Sequence, residues 1–274
     1  MIRSHLYVPA DQPRLLGRAQ TRGADAVIVD LEDSVAPARK TDAVAAALEF
    51  LDSVRVLGER WVRVNQGTLG LAEIRQIRVS AGLDGVWLPK VEPGEWVSEA
   101  LELLAETGTR VGLLVESAAG LVGMPQLPPL PPDTLAQLGE VDLAADLRMR
   151  DTSDEAMVPY RARIIMECVI RNLAAPVAPV ALRFDDPIAF RLSTTSLRDR
   201  GFGSRACIHP AQVPVVNEVF TVDDVDRARA QAIIDQFEAY ASAGTGVFTG
   251  DDGEMVDAAT VRWARAILDE RAGS

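Results

Sequence analysis

The sequence is short of the residues that build disulfide scaffolds and zinc sites. Two cysteines, Cys168 and Cys207, and two histidines, His5 and His209, are all that its 274 residues contain. No CxxC occurs, so both thiols read as small buried hydrophobes in a reducing compartment, and zinc lacks its usual ligands. Basic residues are also scarce, 28 against 40 acidic, which leaves a net charge of −12. That field repels phosphate backbones and anionic lipid heads, so neither nucleic acid nor membrane is an expected partner. A small anionic substrate is still admissible, because one well-placed Arg outweighs a distant surface field. No apolar run approaches the roughly 20 residues that span a bilayer. The opening Met1-Ile2-Arg3-Ser4-His5 lacks the charged region, apolar stretch and cleavage site of a secretory leader. The expected location is the cytoplasm.

Apolar residues make up 48% of the chain, enough for a large core. Short apolar runs alternate with amphipathic stretches in the rhythm of a parallel sheet. The strands expected are His5–Pro9, Ala26–Leu31, Trp61–Asn65, Gly85–Pro89, Val111–Glu116, Leu138–Leu143, Val177–Phe184 and Ala206–His209. Helices are expected over Arg14–Arg22, Ala36–Leu57, Leu71–Ala81, Glu95–Thr107 and Glu155–Leu173. Eight strands, each followed by a helix, predict a closed (β/α)₈ (TIM) barrel; an open doubly wound sheet is the alternative. The barrel is expected over residues 1–222 and a helical extension over 223–274, where Val261, Ala264, Ile267 and Leu268 form an apolar stripe that a neighbouring subunit could bury. Gly201-Phe202-Gly203 precedes a strand instead of opening a helix, so it reads as a turn and not a dinucleotide site.

Ionisable residues gather at the ends of these strands. Asp30-Leu31-Glu32-Asp33 closes the second, Arg63-Val64-Asn65 the third, Pro89-Lys90 the fourth, Glu116 the fifth, Asp142 the sixth and His209-Pro210 the eighth. In a (β/α)₈ barrel the carboxyl ends of the strands build the active site, and solubility does not account for such a cluster. An Arg inside an apolar strand, as at Arg63, needs an anionic partner: one of the neighbouring acids, or a substrate carboxylate held bidentately. Two carboxylates on neighbouring strand ends, Glu116 and Asp142, are the minimum that Mg²⁺ asks of a protein. For Asp30 to Asp33 the bland alternative is an acidic turn ahead of a helix capped by Ser34. His209 is either a base or a structural His-Pro.

Taken together these segments resemble the citrate lyase beta-subunit-like family of the HpcH/HpaI aldolase superfamily. The matching motifs run in order from Arg3-Ser4-His5-Leu6-Tyr7-Val8-Pro9 through Val29-Asp30-Leu31-Glu32-Asp33-Ser34-Val35, Arg63-Val64-Asn65 and Leu88-Pro89-Lys90. They continue with Val115-Glu116-Ser117-Ala118, Gly139-Glu140-Val141-Asp142, Cys207-Ile208-His209-Pro210 and Gly253-Glu254-Met255-Val256-Asp257. The resemblance implies a Mg²⁺-dependent carbon–carbon lyase that cleaves a citryl- or malyl-CoA-type thioester to an acetyl thioester and a 2-oxo acid such as oxaloacetate. It places Glu116 and Asp142 on the metal, Arg63 on the oxo-acid carboxylate, and Glu32 and Asp33 close by, with Lys90 and His209 as substrate-side residues. Asp257 would arrive from the neighbouring subunit of a homotrimer or a multiple of it. Ala178, Arg183 and Arg148 depart from the family pattern on the thioester side. Rival readings are an aldolase acting on free hydroxy-oxo acids, and a non-catalytic oxo-acid-binding subunit of a larger complex.

Overall fold

The computed structural model describes residues 2–222, 224–242, 247–250 and 255–269. Eight parallel strands close into a barrel, β8 pairing back onto β1. They are β1 (Ser4–Pro9), β2 (Ala26–Asp30), β3 (Glu59–Arg63), β4 (Gly85–Leu88), β5 (Arg110–Val115), β6 (Leu135–Leu138), β7 (Val177–Ala178) and β8 (Ser204–Cys207). Around them run α1 (Pro13–Ala19), α2 (Lys40–Asp52), α3 (Gly67–Ile77), α4 (Glu95–Ala105), α5 (Ala118–Gly123), α6 (Glu140–Asp146), α7 (Asp154–Ile170), α8 (Pro187–Asp199) and α9 (Val213–Val219). The open-sheet alternative is thereby set aside.

Four of the sequence expectations near the site are corrected. The sixth strand lies over Leu135–Leu138 and not Leu138–Leu143, because Gly139 ends it and α6 begins at once. Asp142 therefore sits in the first turn of a helix. The seventh strand is two residues long instead of eight, since Pro179 can give no N–H to a ladder. Asp30 and Glu32 do not share a strand face either: β2 stops at Asp30 and the chain turns. Ser34 caps no helix; its N–H goes to Asp30 Oδ2.

Alternation with period two sorts the strand residues between two cores. Val27, Val29, Val62, Val86 and Leu113 point outward into the layer shared with the helices. Ala26, Ile28, Trp61, Trp87, Leu114 and Val177 point inward and fill the barrel. The two tryptophans fit because the next strand offers a glycine in register: Trp61 faces Gly85 and Trp87 faces Gly112. A Cβ at Gly112 would meet the Trp87 ring at 2.4 Å. His5, fully buried beside Trp87, is held neutral by burial, its pKa lowered to about 3.

A second compact unit begins at Thr221, after the barrel unit Ile2–Phe220. It holds α10 (Asp224–Ser242), the antiparallel pair β9 (Phe248–Thr249) and β10 (Met255–Val256), and α11 (Ala258–Asp269). Within this unit Val261 and Ala264 of the α11 stripe pack with Ala230 and Ile234 of α10, and Ile267 and Leu268 are half-buried against them. Gly253 and Glu254 lie outside the described residues.

Gly112→Val is expected to overpack the barrel interior, costing about 1–3 kcal/mol or more. Thermal unfolding followed by tryptophan fluorescence should show a fall of several degrees, and an unchanged midpoint would mean that the ring layer is loosely packed.

Candidate active site

The carboxyl ends of the strands hold a cavity of about 420 Å³, lined by Tyr7, Asp30, Arg63, Glu116, Gln137 and Asp142 among others. Its charged groups are linked in a chain that starts at Asp30. Asp30 and Arg63 are register partners on β2 and β3. Arg63 donates from Nε to Asp30 Oδ1 at 2.7 Å and from Nη2 to Oδ2 at 2.6 Å. The same carboxylate accepts the Glu32 N–H at 2.9 Å, which fixes the turn after β2. Arg63 packs on the Tyr7 ring, 5.2 Å from its centroid.

Glu32 joins the third link. Its Oε1 takes Lys90 Nζ at 2.5 Å, and its Oε2 lies 3.0 Å from Arg63 Nη1. That second contact is an ion pair without hydrogen-bond alignment, so Oε2 is a buried oxygen with no aligned donor. The Lys90 ammonium also reaches Asp33 Oδ1 at 3.4 Å. Lys90 adopts φ +49, a left-handed conformation that a non-glycine residue holds only under constraint from its surroundings. The constraint is visible: its N–H donates to Glu116 Oε1 at 2.7 Å while its side chain spans to Glu32.

Glu116 follows β5 and is 4% exposed. A Cβ at Gly139, after β6, would lie 2.6 Å from Glu116 Cβ and 2.9 Å from Oε2, so only glycine leaves the carboxylate its place. Burial pushes the Glu116 carboxyl up to about 8; the Lys90 N–H opposes this, and the charges of Glu32 and Asp142 add to it. Burial likewise raises Glu32, against Arg63 and Lys90. Asp30 behaves differently. Burial pushes it up, but the hydrogen bonds and charge of Arg63 outweigh that and hold it below the usual range.

Asp142 lies exposed in the first turn of α6. Beside it Glu140 is pinned by Arg161, with contacts of 2.5 and 2.8 Å. His209 is not gathered into this group: its ring stacks on Phe184 with centroids 4.5 Å apart, and Nδ1 accepts the Ala211 N–H at the start of a short helical turn. Asp257 belongs to the second unit, where its Oδ1 accepts the Ala259 and Thr260 N–H groups as the cap of α11. Its Oδ2 has no hydrogen bond among the described residues. Two lining residues were missing from the sequence reading, Tyr7 and Gln137. Both have the inward parity of Asp30 and Arg63, and continuing the alternation along β1 and β6 would have found them.

Among the described residues no three His, Cys, Asp or Glu side chains stand as a ready metal cage. Mg²⁺ does not need one; two carboxylates with water and substrate oxygens suffice. The donors fit such an ion. Asp30, Glu32, Asp33, Glu116 and Asp142 face two cations, Arg63 and Lys90, and the surplus falls on Glu116, which burial and its acidic neighbours oppose as an anion.

A closed (β/α)₈ barrel with ionisable side chains gathered at the carboxyl ends of its strands defines a class, the α/β-barrel enzymes. The chain belongs more narrowly to the HpcH/HpaI aldolase/citrate lyase family, whose model matches residues 3–210, and its relatives include carbon–carbon lyases. A second model, C-C bond lyase of the TIM-barrel fold, matches residues 177–273. The chain is 30% identical to a citrate lyase subunit beta-like protein of Deinococcus radiodurans, over 99% of this chain and 98% of that one. It is also 30% identical to a (3S)-malyl-CoA thioesterase of Cereibacter sphaeroides, over 97% and 93%. Among solved structures, CitE of Mycobacterium tuberculosis in complex with magnesium, acetoacetate and coenzyme A superposes with a TM-score of 0.77. That match has 26% identity and covers 98% of both chains.

Without divalent cation, the raised Glu116 pKa makes a stability prediction. Protonation favours the folded state, so the contribution is fully present below about pH 4.5 and is lost as pH rises through about 8. Glu116→Gln should therefore lose less stability than the parent between pH 5 and pH 9. Parallel melting curves across that range, measured with chelator, would show the assignment to be wrong.

Proposed function

We propose that the protein is a Mg²⁺-dependent lyase that cleaves a 3-hydroxyacyl thioester of the citryl- or malyl-CoA type into an acetyl thioester and a 2-oxo acid such as oxaloacetate. The observation that carries the reading is the convergence of Glu116, Asp142 and Arg63 on one cavity at the carboxyl ends of the strands. The bound ligands of the M. tuberculosis relative support it.

In this reading Glu116 and Asp142 hold the cation, and Arg63 binds the oxo-acid carboxylate. Asp30 takes the Nε hydrogen and one Nη2 hydrogen of the guanidinium, so the substrate would meet the remaining Nη1 and Nη2 hydrogens, beside a Glu32 Oε2 that lies 3.0 Å from Nη1 but out of line. Bound Mg²⁺ supplies Lewis-acid polarisation of the substrate's hydroxyl or carbonyl oxygen. In cleavage the hydroxyl proton passes to a base, for which Glu32 is placed by its raised pKa, its unaligned Oε2 and its Lys90 contact. The carbon–carbon bond breaks, its electron pair going to the departing thioester enolate, which then takes a proton at carbon. Asp33, reached by the same Lys90 ammonium, keeps that lysine across the mouth.

Asp257 is proposed to serve the acetyl carbon of a neighbouring subunit's site in a homotrimer or a multiple of it. Capping uses only Oδ1, and the Thr260 and Ala259 N–H groups hold the carboxyl below its usual range. An ionised Asp257 suits removal of the acetyl proton in the condensing direction. A hydrolytic outcome is the second reading, favoured by the likeness to a malyl-CoA thioesterase. Free hydroxy acid and CoA among the products, in place of acetyl-CoA and oxo acid, would identify it.

Two experiments test the proposal. Arg63→Lys should lower kcat/KM for citryl- or malyl-CoA about 100-fold, because an ammonium cannot hold Asp30 and a carboxylate in one plane; turnover at the parent rate would make Arg63 purely structural. Mixing inactive Asp257→Ala with inactive Glu116→Gln should restore part of the activity, since some sites then pair two intact halves. Confirmed subunit exchange without recovery removes Asp257 from a shared site.

A further inference from the structure

Below the charged rim the cavity is floored by a hydrogen bond that crosses the barrel. Tyr7 on β1 donates from its hydroxyl to Gln137 Oε1 on β6 at 3.1 Å. The two strands are not neighbours; β7 and β8 lie between them. The bridge can form because those strands present only Val177 and Ala206 to the interior at this side. Gln137 is 3% exposed, and Tyr7 is wedged by the Arg63 guanidinium over its ring. In this arrangement the hydroxyl meets the amide oxygen and not its nitrogen. With Oε1 taken by the hydroxyl, Nε2 is left with two N–H donors and no partner among the described residues, on a side chain that lines the cavity.

A nearly buried amide whose donors meet no protein acceptor is costly unless something else accepts from it. The wall around it is apolar, made of Leu114, Leu138, Pro179, Val180 and Ile208, so the acceptor must come from what occupies the cavity. The charged rim groups are already assigned, by the function proposed above, to the carboxylate and oxygen at one end of an oxo acid. Gln137 adds a neutral donor to the same cavity, available to the other end.

We propose that Gln137, oriented by Tyr7, is a specificity-determining residue that selects 2-oxo acids carrying a second carboxylate over those ending in a methyl group. The inference rests on the oxo-acid reading of the site. A charge-assisted bond from an amide to a carboxylate adds discrimination without placing another buried cation in the barrel. It also penalises a substrate that leaves the donors bare, since a pocket built around a hydrogen bond rejects the analogue lacking it. Tyr7 is a positioning residue: it touches the amide and fixes its rotation.

The test compares freshly dissolved oxaloacetate with 2-oxobutyrate, which has the same four carbons and a methyl in place of the second carboxylate. Mg²⁺-dependent binding to the full chain is measured by calorimetry. The parent should prefer oxaloacetate at least tenfold. Gln137→Leu should bring the two within about twofold by weakening oxaloacetate alone, and Gln137→Glu should weaken it further by setting like charges together. Tyr7→Phe keeps the ring over Arg63 and releases the amide, so the ratio should fall in the same direction by a smaller factor. Equal losses for both acids in Gln137→Leu and Gln137→Glu would make Gln137 a packing residue and overturn the inference. A parent that binds both acids equally overturns it too, while leaving the oxo-acid reading intact. A parent that binds neither acid overturns both.

Discussion

Asp30 is the point on which the mouth of this barrel depends. One buried carboxylate closes the turn after β2 through the Glu32 N–H and, through its register pairing, holds the Nε side of Arg63. With that side fixed, the guanidinium sits over the Tyr7 ring and lines the cavity. Tyr7, so wedged, reaches Gln137. Glu32 then has only Lys90 as an aligned partner, and Lys90 turns its own N–H to Glu116. Six strands, β1 to β6, are thus tied beyond the ladder bonds. Deleting Asp30 would release the arginine, the turn and the ring together, and the loss would exceed that of one ion pair.

The chain of contacts does not balance its charge, and the imbalance is concentrated at Glu116. Arg63 satisfies Asp30, Lys90 satisfies Glu32, and Glu116 receives one backbone N–H. A hydrogen bond from an amide does not neutralise a buried anion, so at neutral pH the carboxyl keeps its proton or waits for a cation. Gly139 serves the same end, since any side chain there would displace Glu116 from the cavity. The fold therefore carries a local electrostatic cost at the position where a divalent ion would be held, the usual relation between strain and function.

The architecture was legible in the sequence because the inward and outward strand faces differ in chemistry over most of their length, and eight such runs recur between helical ones. Site residues at strand ends were legible for the same reason: Asp30, Arg63, Lys90 and Glu116 follow apolar runs that stop abruptly. Asp142 was misplaced because Leu138-Gly139-Glu140-Val141-Asp142-Leu143 alternates like a strand, and only the glycine marks the change to a helix. The end of β7 was illegible because apolar residues around Pro179 extend the pattern beyond the ladder. The cover over α11 escaped as well, since a packing partner on α10 is a matter of tertiary placement and not of periodicity.

The arginines show how far a local rule carries. An Arg in an apolar strand was expected to seek an anion, and Arg63 does. Arg60 and Arg205, also in strands and each no more than 3% exposed, do not. Arg60 donates to the Phe50, Leu51 and Ser53 carbonyls at the end of α2. Arg205 donates to the Pro179 carbonyl and to Ser193 and Thr194 hydroxyls. The difference is parity. Arg60 and Arg205 point outward, where the end of α2 offers carbonyls to one and the loop after β7 and hydroxyls of α8 serve the other, whereas Arg63 points inward, where the acceptors are side chains. Their titration follows. Burial lowers Arg60, and lowers Arg205 to about 10, while at Arg63 burial is outweighed by Asp30 and the pKa rises. Outward arginines on partial charges are structural pins; Arg63, at the carboxyl end of its strand and locked to the full charge of Asp30, is the one proposed to bind a carboxylate. Parity along the strand sets the outward pair apart from Arg63, and position along the strand sets Arg63 apart from Arg110, which is also inward but begins β5 and pairs with Glu59 at the start of β3.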